Sequence, residues 1–177
     1  MNLTLKNMQN LFEIEEWNII QKGYTAKKQL QAESIFSIGN GIFGQRANFE
    51  EKYSGPSLSG SYVGGIYYPD KTKVGWWKNG YPDYFAKMVN CPNWNRLRIF
   101  VNDQLLDLDS CKETSFFIRE LNMKEGWYKR DFILEMKNGE KLKISSKRFY
   151  SIKRKEIGAI KYSITSLQDD TNIKILP

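Results

Sequence analysis

The stretch FILEMKNGEKLKIS, residues 132–145, places apolar side chains at alternate positions on both sides of an Asn-Gly pair. Alternation of this kind predicts two antiparallel strands that each bury one face. A two-residue turn at Asn-Gly would set the apolar positions of the two strands on opposite faces of the sheet. A three-residue loop over 137–139, with Gly139 in the left-handed conformation, instead places Leu134 opposite Leu142. We therefore predict the longer loop and this register.

Further strand candidates lie on both sides of this hairpin, each bounded by turn residues. Together with the hairpin they cover residues 34–46, 97–101, 105–108, 116–121, 128–136, 140–148 and 157–167. Turns are predicted at 39–41 (GNG) and 102–103 (ND), where the residue types tolerate positive φ. Short helices are predicted only over 26–33 and 82–89. Many short strands without alternating helices indicate an all-β fold, an antiparallel β-sandwich, as a single domain over residues 1–177.

The composition excludes several kinds of chemistry. The chain has 177 residues, of which 41% are hydrophobic, so it can bury a sizeable core. Histidine is absent, which excludes the Ser-His-Asp and Cys-His catalytic arrangements and every zinc site that uses imidazole. Cys91 and Cys111 are too few for a disulfide framework, and we expect two reduced thiols. The N-terminal residues show neither a signal-peptide pattern nor a long apolar run, so a cytoplasmic protein is expected.

The charge is positive but dispersed. Lysine and arginine number 27 against 20 aspartate and glutamate residues, which gives a formal charge of +7. A clustered excess of this size would favour nucleic acid or another polyanion as a partner. The basic residues are instead scattered among acids, as at 141–143 and 148–155. We interpret them as a solvated surface, and a nucleic-acid-binding domain is the least favoured hypothesis.

Several carboxylates lie close together in the sequence, and a pair of carboxylates is what the cleavage of a glycosidic bond requires. The groups are Glu13-Glu15-Glu16, Glu33, Glu50-Glu51 and Asp107-Asp109. Proximity in sequence does not make a catalytic pair, and the abundant lysines and arginines offer partners. We therefore expect most of these acids to be solvated or ion-paired, with Glu33 and Arg46 as one structural pair.

The most unusual local composition is the segment GWWKNGYPDYF, residues 75–85. Aromatic rings stack on the apolar faces of sugars, while ammonium, amide and carboxylate groups hydrogen-bond to hydroxyls. A carbohydrate-binding platform would use Trp76, Trp77, Lys78, Asn79, Tyr81 and Asp83. The competing interpretation is that these rings are buried in the core or in a domain interface, as large aromatic residues generally are. Solvent exposure of the rings distinguishes the two.

Ordered blocks of sequence identify a family. Trp17 is followed by ESIFSIGNGIFGQRANFEE (33–51), GSYVGGIY (60–67), AKMVNCPNW (86–94), VNDQLLDL (101–108), FIRELNMKEGWYKRDF (117–132), KRFYS (147–151) and AIKYSIT (159–165). In this order and spacing the chain strongly resembles the N-terminal domain of glycoside hydrolase family 65 over nearly its whole length. The family includes maltose, kojibiose and trehalose phosphorylases, and the aromatic segment looks most like the maltose phosphorylases. The chain departs from the family's usual TRGN pattern, because Gln45 and Ala47 flank Arg46.

The resemblance implies a supersandwich of the galactose mutarotase type, here truncated, and inverting phosphorolysis of an α-linked disaccharide by the intact enzyme. In the family an (α/α)6 barrel carries the catalytic glutamate and the phosphate site, and that barrel is not expected within these 177 residues. No metal or cofactor is implied, and inorganic phosphate is the co-substrate. The implied partners are the protein's own catalytic domain and a second copy in a homodimer, not nucleic acid or a membrane. No residue matches a catalytic position, so this chain alone is predicted to be inactive.

Three functional hypotheses follow from these observations. The favoured one is a non-catalytic domain that provides the scaffold and the oligomer contacts of an α-glucoside phosphorylase. The second is a stand-alone carbohydrate-binding module that uses the aromatic segment, and the third is a nucleic-acid-binding domain. A hydrolase of the same family would share this domain, so the choice between phosphorolysis and hydrolysis stays open at this point.

Overall fold

The computed structural model describes residues 12–73 and 80–176, and strands dominate this part of the chain. The strands are β1 (Phe12–Ile14), β2 (Asn18–Lys22), β3 (Ile38–Gly39), β4 (Phe43–Gln45), β5 (Ser61–Val63), β6 (Tyr67–Lys71), β7 (Tyr84–Met88), β8 (Arg98–Val101), β9 (Gln104–Leu105), β10 (Glu113–Asn122), β11 (Trp127–Glu135), β12 (Lys141–Tyr150), β13 (Gly158–Ser166) and β14 (Ile173–Leu176). One α-helix, α1 (Gln29–Ile35), and two short 3-10 helices, Ala26–Lys28 and Leu108–Ser110, complete the described ranges. No helix of the described residues is long and apolar enough to cross a membrane.

Six antiparallel strands form the main sheet, in the order β1-β2-β10-β11-β12-β13. β11 and β12 pair with Leu134 opposite Leu142, so the predicted register is confirmed. The Met136 amide donates to the Glu140 carbonyl at 2.8 Å, which closes the loop, and Gly139 has a φ of +89°. Burial of one face of each strand therefore overrides the two-residue turn that Asn-Gly usually makes.

Two small sheets and α1 form a second layer on the inner face of the main sheet. The sheet of β14, β8 and β9 contributes Ile99 and Val101, and Leu106 directly after β9 joins them, in a core cluster that also contains Phe132 and Leu134 of the main sheet. The sheet of β3, β4 and β5, together with α1, forms a second cluster at the other end. Apolar residues thus meet between two layers of mainly antiparallel strands, and the predicted all-β antiparallel sandwich is confirmed.

The helix predicted over 82–89 is wrong. β7 lies there and pairs with β6 to form a separate two-stranded ribbon, in which Tyr84 lies opposite Lys71. The residues at 86–88, Ala-Lys-Met, favour a helix on their own, but Tyr84 and Phe85 favour a strand, and all five residues of β7 pair with β6. Pairing with a partner more than ten residues away has overridden a weak local preference.

The helix predicted over 26–33 is present as a 3-10 helix followed by α1, and it extends further than predicted, to Ile35. The strand predicted from residue 34 therefore begins only at Ile38, where β3 pairs Gly39 with Gly44 of β4. Ala32 and Phe36 are fully buried in the core cluster under this hairpin. Of the apolar residues that suggested a strand here, Ile35 ends the helix and Phe36 is its C-cap residue.

The predicted turn at Asn102-Asp103 is confirmed. β8 and β9 pair with Val101 opposite Gln104, and the two turn residues have φ values of 47° and 60°. Positive φ at both central positions is the geometry of a type I′ turn, which matches the twist of the flanking strands. Asparagine and aspartate tolerate this region better than other side chains do, so the sequence signal was specific.

The two cysteines are unbridged, as predicted. Burial, with the carboxylate of Asp107 nearby, raises the pKa of the Cys111 thiol to about 11. We expect iodoacetamide at pH 8 to alkylate Cys111 roughly a hundred-fold more slowly than a thiol of ordinary pKa, because the thiolate is the reacting form. Peptide mass spectrometry after timed alkylation measures the rate. In denaturant Cys91 and Cys111 should react alike, and equal rates in the native protein would contradict the prediction.

Candidate functional site

The predicted carbohydrate platform falls partly outside the structure. Trp76, Trp77, Lys78 and Asn79 lie outside the described residues. Of the other two predicted residues, Tyr81 is 48% exposed and packs edge-on against Phe85, with ring centroids 6.1 Å apart. Asp83 is also exposed, and its backbone carbonyl accepts a hydrogen bond from the Thr72 amide at 2.8 Å.

The β6-β7 ribbon next to this segment is rich in exposed aromatic side chains. Its large exposed residues are Tyr67, Tyr68, Tyr84, Phe85 and Met88. Lys87 forms an ion pair with Asp70 across the two strands. The ribbon contributes no residue to either core cluster, so its rings face solvent within this chain. An exposed apolar patch of this kind marks a binding or docking surface more often than an ordinary surface does.

A buried cluster of arginines and glutamates lies between the main sheet and the loop at 46–51. Arg130 on β11 donates to Glu50 at 2.5 Å and to Glu51 at 2.6 Å, and Arg148 on β12 donates to Glu50 at 3.0 Å. All four side chains are fully buried. Arg148 was expected on the solvated surface, and that expectation is wrong. Its place on the inward face of β12 sets its burial, because alternate residues of a strand point to the same side.

The arginines of the cluster also lie over aromatic rings. The guanidinium carbon of Arg130 is 4.5 Å from the ring centroid of Phe49, and that of Arg148 is 4.9 Å from the centroid of Tyr128. A third buried arginine, Arg119 on β10, lies directly opposite Arg130 and donates to Gln29 at 2.9 Å. Desolvated cation–π contacts of this kind offset part of the cost of burying a guanidinium group.

The protonation of the cluster is set by two opposing effects. Burial alone would raise the pKa of Glu50, but the positive charges of Arg130 and Arg148 outweigh it, and the pKa is lowered. Glu50 also accepts from the Ser146 hydroxyl at 3.2 Å, and the Tyr162 hydroxyl donates to Glu51. A carboxylate held ionised in this way cannot donate a proton to a leaving group, so Glu50 does not suit the role of general acid.

Two other acids singled out in the sequence, Glu33 and Asp107, also have structural partners. Glu33 is fully buried, accepts from the Leu58 amide at 2.9 Å and lies 3.9 Å from Arg46, so the predicted ion pair is confirmed. Asp107 accepts from the amides of Ser54 and Asp109 at 3.0 and 3.2 Å. These carboxylates hold loops in place. No cluster of three or more metal-ligating side chains occurs among residues 12–73 and 80–176.

Asn40, at the centre of the GNG turn, fastens two distant loops. Its side-chain oxygen accepts from the amides of Ile42 and Phe43, at 3.1 and 2.8 Å. Its side-chain nitrogen donates to the carbonyls of Ser151 and Lys155, both at 2.8 Å. One amide group thereby satisfies four backbone groups and ties the β3-β4 turn to the loop at 151–157. The sequence marked this residue only as part of a turn.

The comparisons with known proteins agree with the fold. The model of the glycosyl hydrolase family 65, N-terminal domain, matches residues 19–177. The chain is 41% identical to the maltose phosphorylase of Bacillus subtilis (strain 168) over 96% of its own length and 22% of the relative's. It is 30% identical to the alpha,alpha-trehalose phosphorylase of Thermoanaerobacter brockii over 90% of its length and 21% of the relative's. The chain thus spans about a fifth of the length of these relatives.

A solved structure is similar in fold as well as in sequence. It is a putative kojibiose phosphorylase from the human microbiome, with a TM-score of 0.82 and 32% sequence identity. The match covers 93% of this chain and 21% of that chain. Agreement of family model, sequence and fold over the same residues leaves one assignment: the chain belongs to glycosyl hydrolase family 65, and it corresponds to the family's N-terminal domain.

Proposed function

We propose that the chain is the N-terminal β-sandwich domain of an α-glucoside phosphorylase of the maltose type, and that it provides the scaffold and the oligomer contacts for a separate catalytic barrel. The observation that carries the proposal is the 41% identity to a maltose phosphorylase over 96% of the chain. A second support is that the buried carboxylates Glu33, Glu50 and Glu51 all have structural partners. A domain whose acids are committed to its own fold suits a supporting role better than a catalytic one.

The reaction proposed for the intact enzyme is inverting phosphorolysis of an α-linked disaccharide. A carboxylic acid protonates the glycosidic oxygen, and inorganic phosphate attacks the anomeric carbon through an oxocarbenium-like transition state. This chain would contribute neither group. Its role would be to hold the catalytic domain and a second copy of the protein in place, without a metal or an organic cofactor. A cytoplasmic location remains part of the proposal, and the unbridged state of both cysteines supports it.

A chimera tests the scaffold role. The 177-residue chain replaces the matching N-terminal segment of the Bacillus subtilis maltose phosphorylase, and release of glucose 1-phosphate from maltose and phosphate is measured. We expect the chimera to keep activity within about tenfold of the host enzyme, since a well-fitted scaffold preserves the position of catalytic groups. The host without its N-terminal segment should lose activity.

The isolated chain provides the second half of this test. Positioning a sugar supplies neither the protonated leaving group nor the bound nucleophile, so no glucose 1-phosphate should form. Turnover by the isolated chain, or a folded chimera without activity, would contradict the proposal.

A stand-alone carbohydrate-binding module is the alternative function. The observation in its favour is the exposure of the aromatic rings on the β6-β7 ribbon, next to the segment that contains Trp76 and Trp77. Binding of maltose by the isolated chain that Trp77→Ala abolishes would promote this function over the scaffold role. Phe149→Ala on β12 is the matched variant, because it removes an exposed ring outside both the predicted platform and the ribbon.

A further inference from the structure

We propose that a cleft at one end of the sandwich, lined by Phe43, Trp94, Tyr150, Glu156 and Gly158, binds a single sugar ring. This Trp94 cleft has a volume of about 290 Å³, close to the roughly 300 Å³ at which small-molecule pockets begin. A space of this size suits one pyranose rather than a longer chain. None of these five residues belongs to the aromatic segment singled out in the sequence, and the site does not depend on the scaffold function.

Aromatic rings form the walls of the Trp94 cleft. Phe43 and Tyr150 stack with their ring centroids 5.7 Å apart and their planes 12° from parallel. Trp94 is tilted against Tyr150 at 5.6 Å and keeps 40% of its surface exposed. Indole and phenol faces attract the C–H bonds of a sugar ring, which carry partial positive charge toward the π system. Tyr150 itself is only 8% exposed, so the stack orders the base of the cleft, and the exposed indole of Trp94 is the ring face that a ligand would meet.

Two polar groups line the cleft and keep unused hydrogen-bonding capacity within the described residues. The Trp94 indole donates to the Tyr150 hydroxyl at 2.6 Å, and the hydroxyl's own proton has no acceptor among residues 12–73 and 80–176. Burial raises the pKa of Tyr150, so the phenol remains a donor at neutral pH. Within the same ranges the exposed Glu156 carboxylate has neither a hydrogen bond nor an ion pair. A donor and an acceptor beside a ring face match the hydroxyl groups of a sugar, which both donate and accept.

The shape of the cleft depends on Gly158, the first residue of β13. A Cβ atom at this position would lie 2.9 Å from the Tyr150 ring and 3.1 Å from the Trp94 ring. Carbon atoms in contact prefer about 3.5–4.0 Å, so any larger residue would push the rings apart. The absence of a side chain thus lets the two rings stay in contact with each other and leaves the cleft beside them open.

A polar cavity of about 240 Å³ near Tyr53 is a weaker candidate. Its side chains already bond to other parts of the chain: the Asn48 amide donates to the Leu58 carbonyl at 3.0 Å, and the Ser57 hydroxyl donates to Glu33 at 2.5 Å. In the Trp94 cleft, by contrast, the phenol proton and the Glu156 carboxylate are uncommitted within the described residues. An apolar ligand would need neither the phenol proton nor the Glu156 carboxylate, so these two groups favour a polar ligand such as a sugar.

Titration of the 177-residue chain with glucose and with maltose tests the proposal, with indole N–H signals followed by NMR and heats by calorimetry. We expect a dissociation constant on the order of millimolar, since an open cleft leaves many ligand hydroxyls hydrated. Trp94→Ala should weaken binding at least about tenfold, because it removes the exposed ring face. Glu156→Gln keeps the fold, because the side chain is exposed, and should weaken binding about threefold.

Trp127→Ala is the matched control. This indole lies on the outer face of the main sheet, whereas Tyr150 lies on the inner face, and it donates to Glu125 at 2.5 Å. It should bind sugar as the unmodified chain does. Thermal unfolding of each variant separates a lost site from a lost fold. Four results would overturn the proposal: no saturable binding below about 50 mM sugar, unchanged affinity in both cleft variants, loss of binding only in Trp77→Ala, or binding of cyclohexanol as tightly as glucose. The last would indicate an apolar slot.

Discussion

The Arg130→Met variant is expected to lose about 3–5 kcal/mol of its free energy of unfolding, because two buried carboxylates lose their shared cation. Arg130 contacts Glu50 and Glu51 at 2.5 and 2.6 Å, and all three side chains are fully buried. Methionine fills a similar volume, so the loss reports mainly the uncompensated charge. Single domains have about 5–15 kcal/mol of stability in total, so this is a large fraction. Urea unfolding followed by circular dichroism measures it.

Lys129→Met is the matched control for this variant. Lys129 is the preceding residue on the same strand, and its ion pair with Asp131 at 2.8 Å is partly exposed, so the cost should stay below about 1 kcal/mol. Equal losses of free energy of unfolding in the two variants would show that the buried ion pairs stabilise the fold no more than an exposed one does.

The dependence of stability on pH gives a second measurement. The folded-state pKa of Glu50 lies below its usual value, so the stabilisation is present above about pH 4.5 and is lost as the pH falls further. Arg130→Met should make this acid loss shallower, because one cause of the lowered pKa is gone. If the free energy of unfolding falls with decreasing pH as steeply in the variant as in the unmodified chain, the stability lost in Arg130→Met comes from packing rather than from charge.

The Asn40→Ala variant is expected to lose about 2–3 kcal/mol, since one side chain serves four backbone groups. Each hydrogen bond contributes about 0.5–1.5 kcal/mol, and carbonyls left without a donor add a desolvation cost. Faster amide exchange across residues 151–157 should accompany the loss, because that loop is tied to the GNG turn by this residue. Asn138→Ala is the control: its side chain accepts one exposed bond from the Glu140 amide at 3.2 Å, and its loss should be small. Similar losses of stability in the two variants would contradict the role of Asn40 in tying the GNG turn to the loop at 151–157.

Local patterns predicted the parts of the fold that depend on neighbouring residues. The Leu134-Leu142 register follows from alternation within a single hairpin, and the Asn102-Asp103 turn follows from the φ values those residues tolerate. The segment 82–89 was assigned wrongly because its strand is determined by pairing with β6, which its own sequence does not reveal. Weak local preferences yield to tertiary pairing in such segments.

The functional parts of the molecule were harder to predict, for a physical reason. Charged residues normally face solvent, so composition gave no reason to bury Arg130 or Arg148; the available signal was their place on the apolar face of each strand. Asn40 has partners 111 and 115 residues away, and the Trp94 cleft joins residues from strands and loops that are far apart in sequence. Such groups become visible only when the chain is folded. The ordered blocks identified the family, but they did not show which contacts each residue makes.

The pairing of β2 with β10 also governs how fast the chain reaches its native state. Ile20 lies opposite Glu120, so two central strands of the main sheet are joined across about a hundred residues of sequence. Ordering an intervening segment of this length costs entropy before any contact forms, and proteins of high contact order fold in milliseconds to seconds. During synthesis at about 5–20 residues per second, β2 has to wait several seconds for its partner. Throughout that interval the edge of β2 that later pairs with β10 is open to other nascent chains.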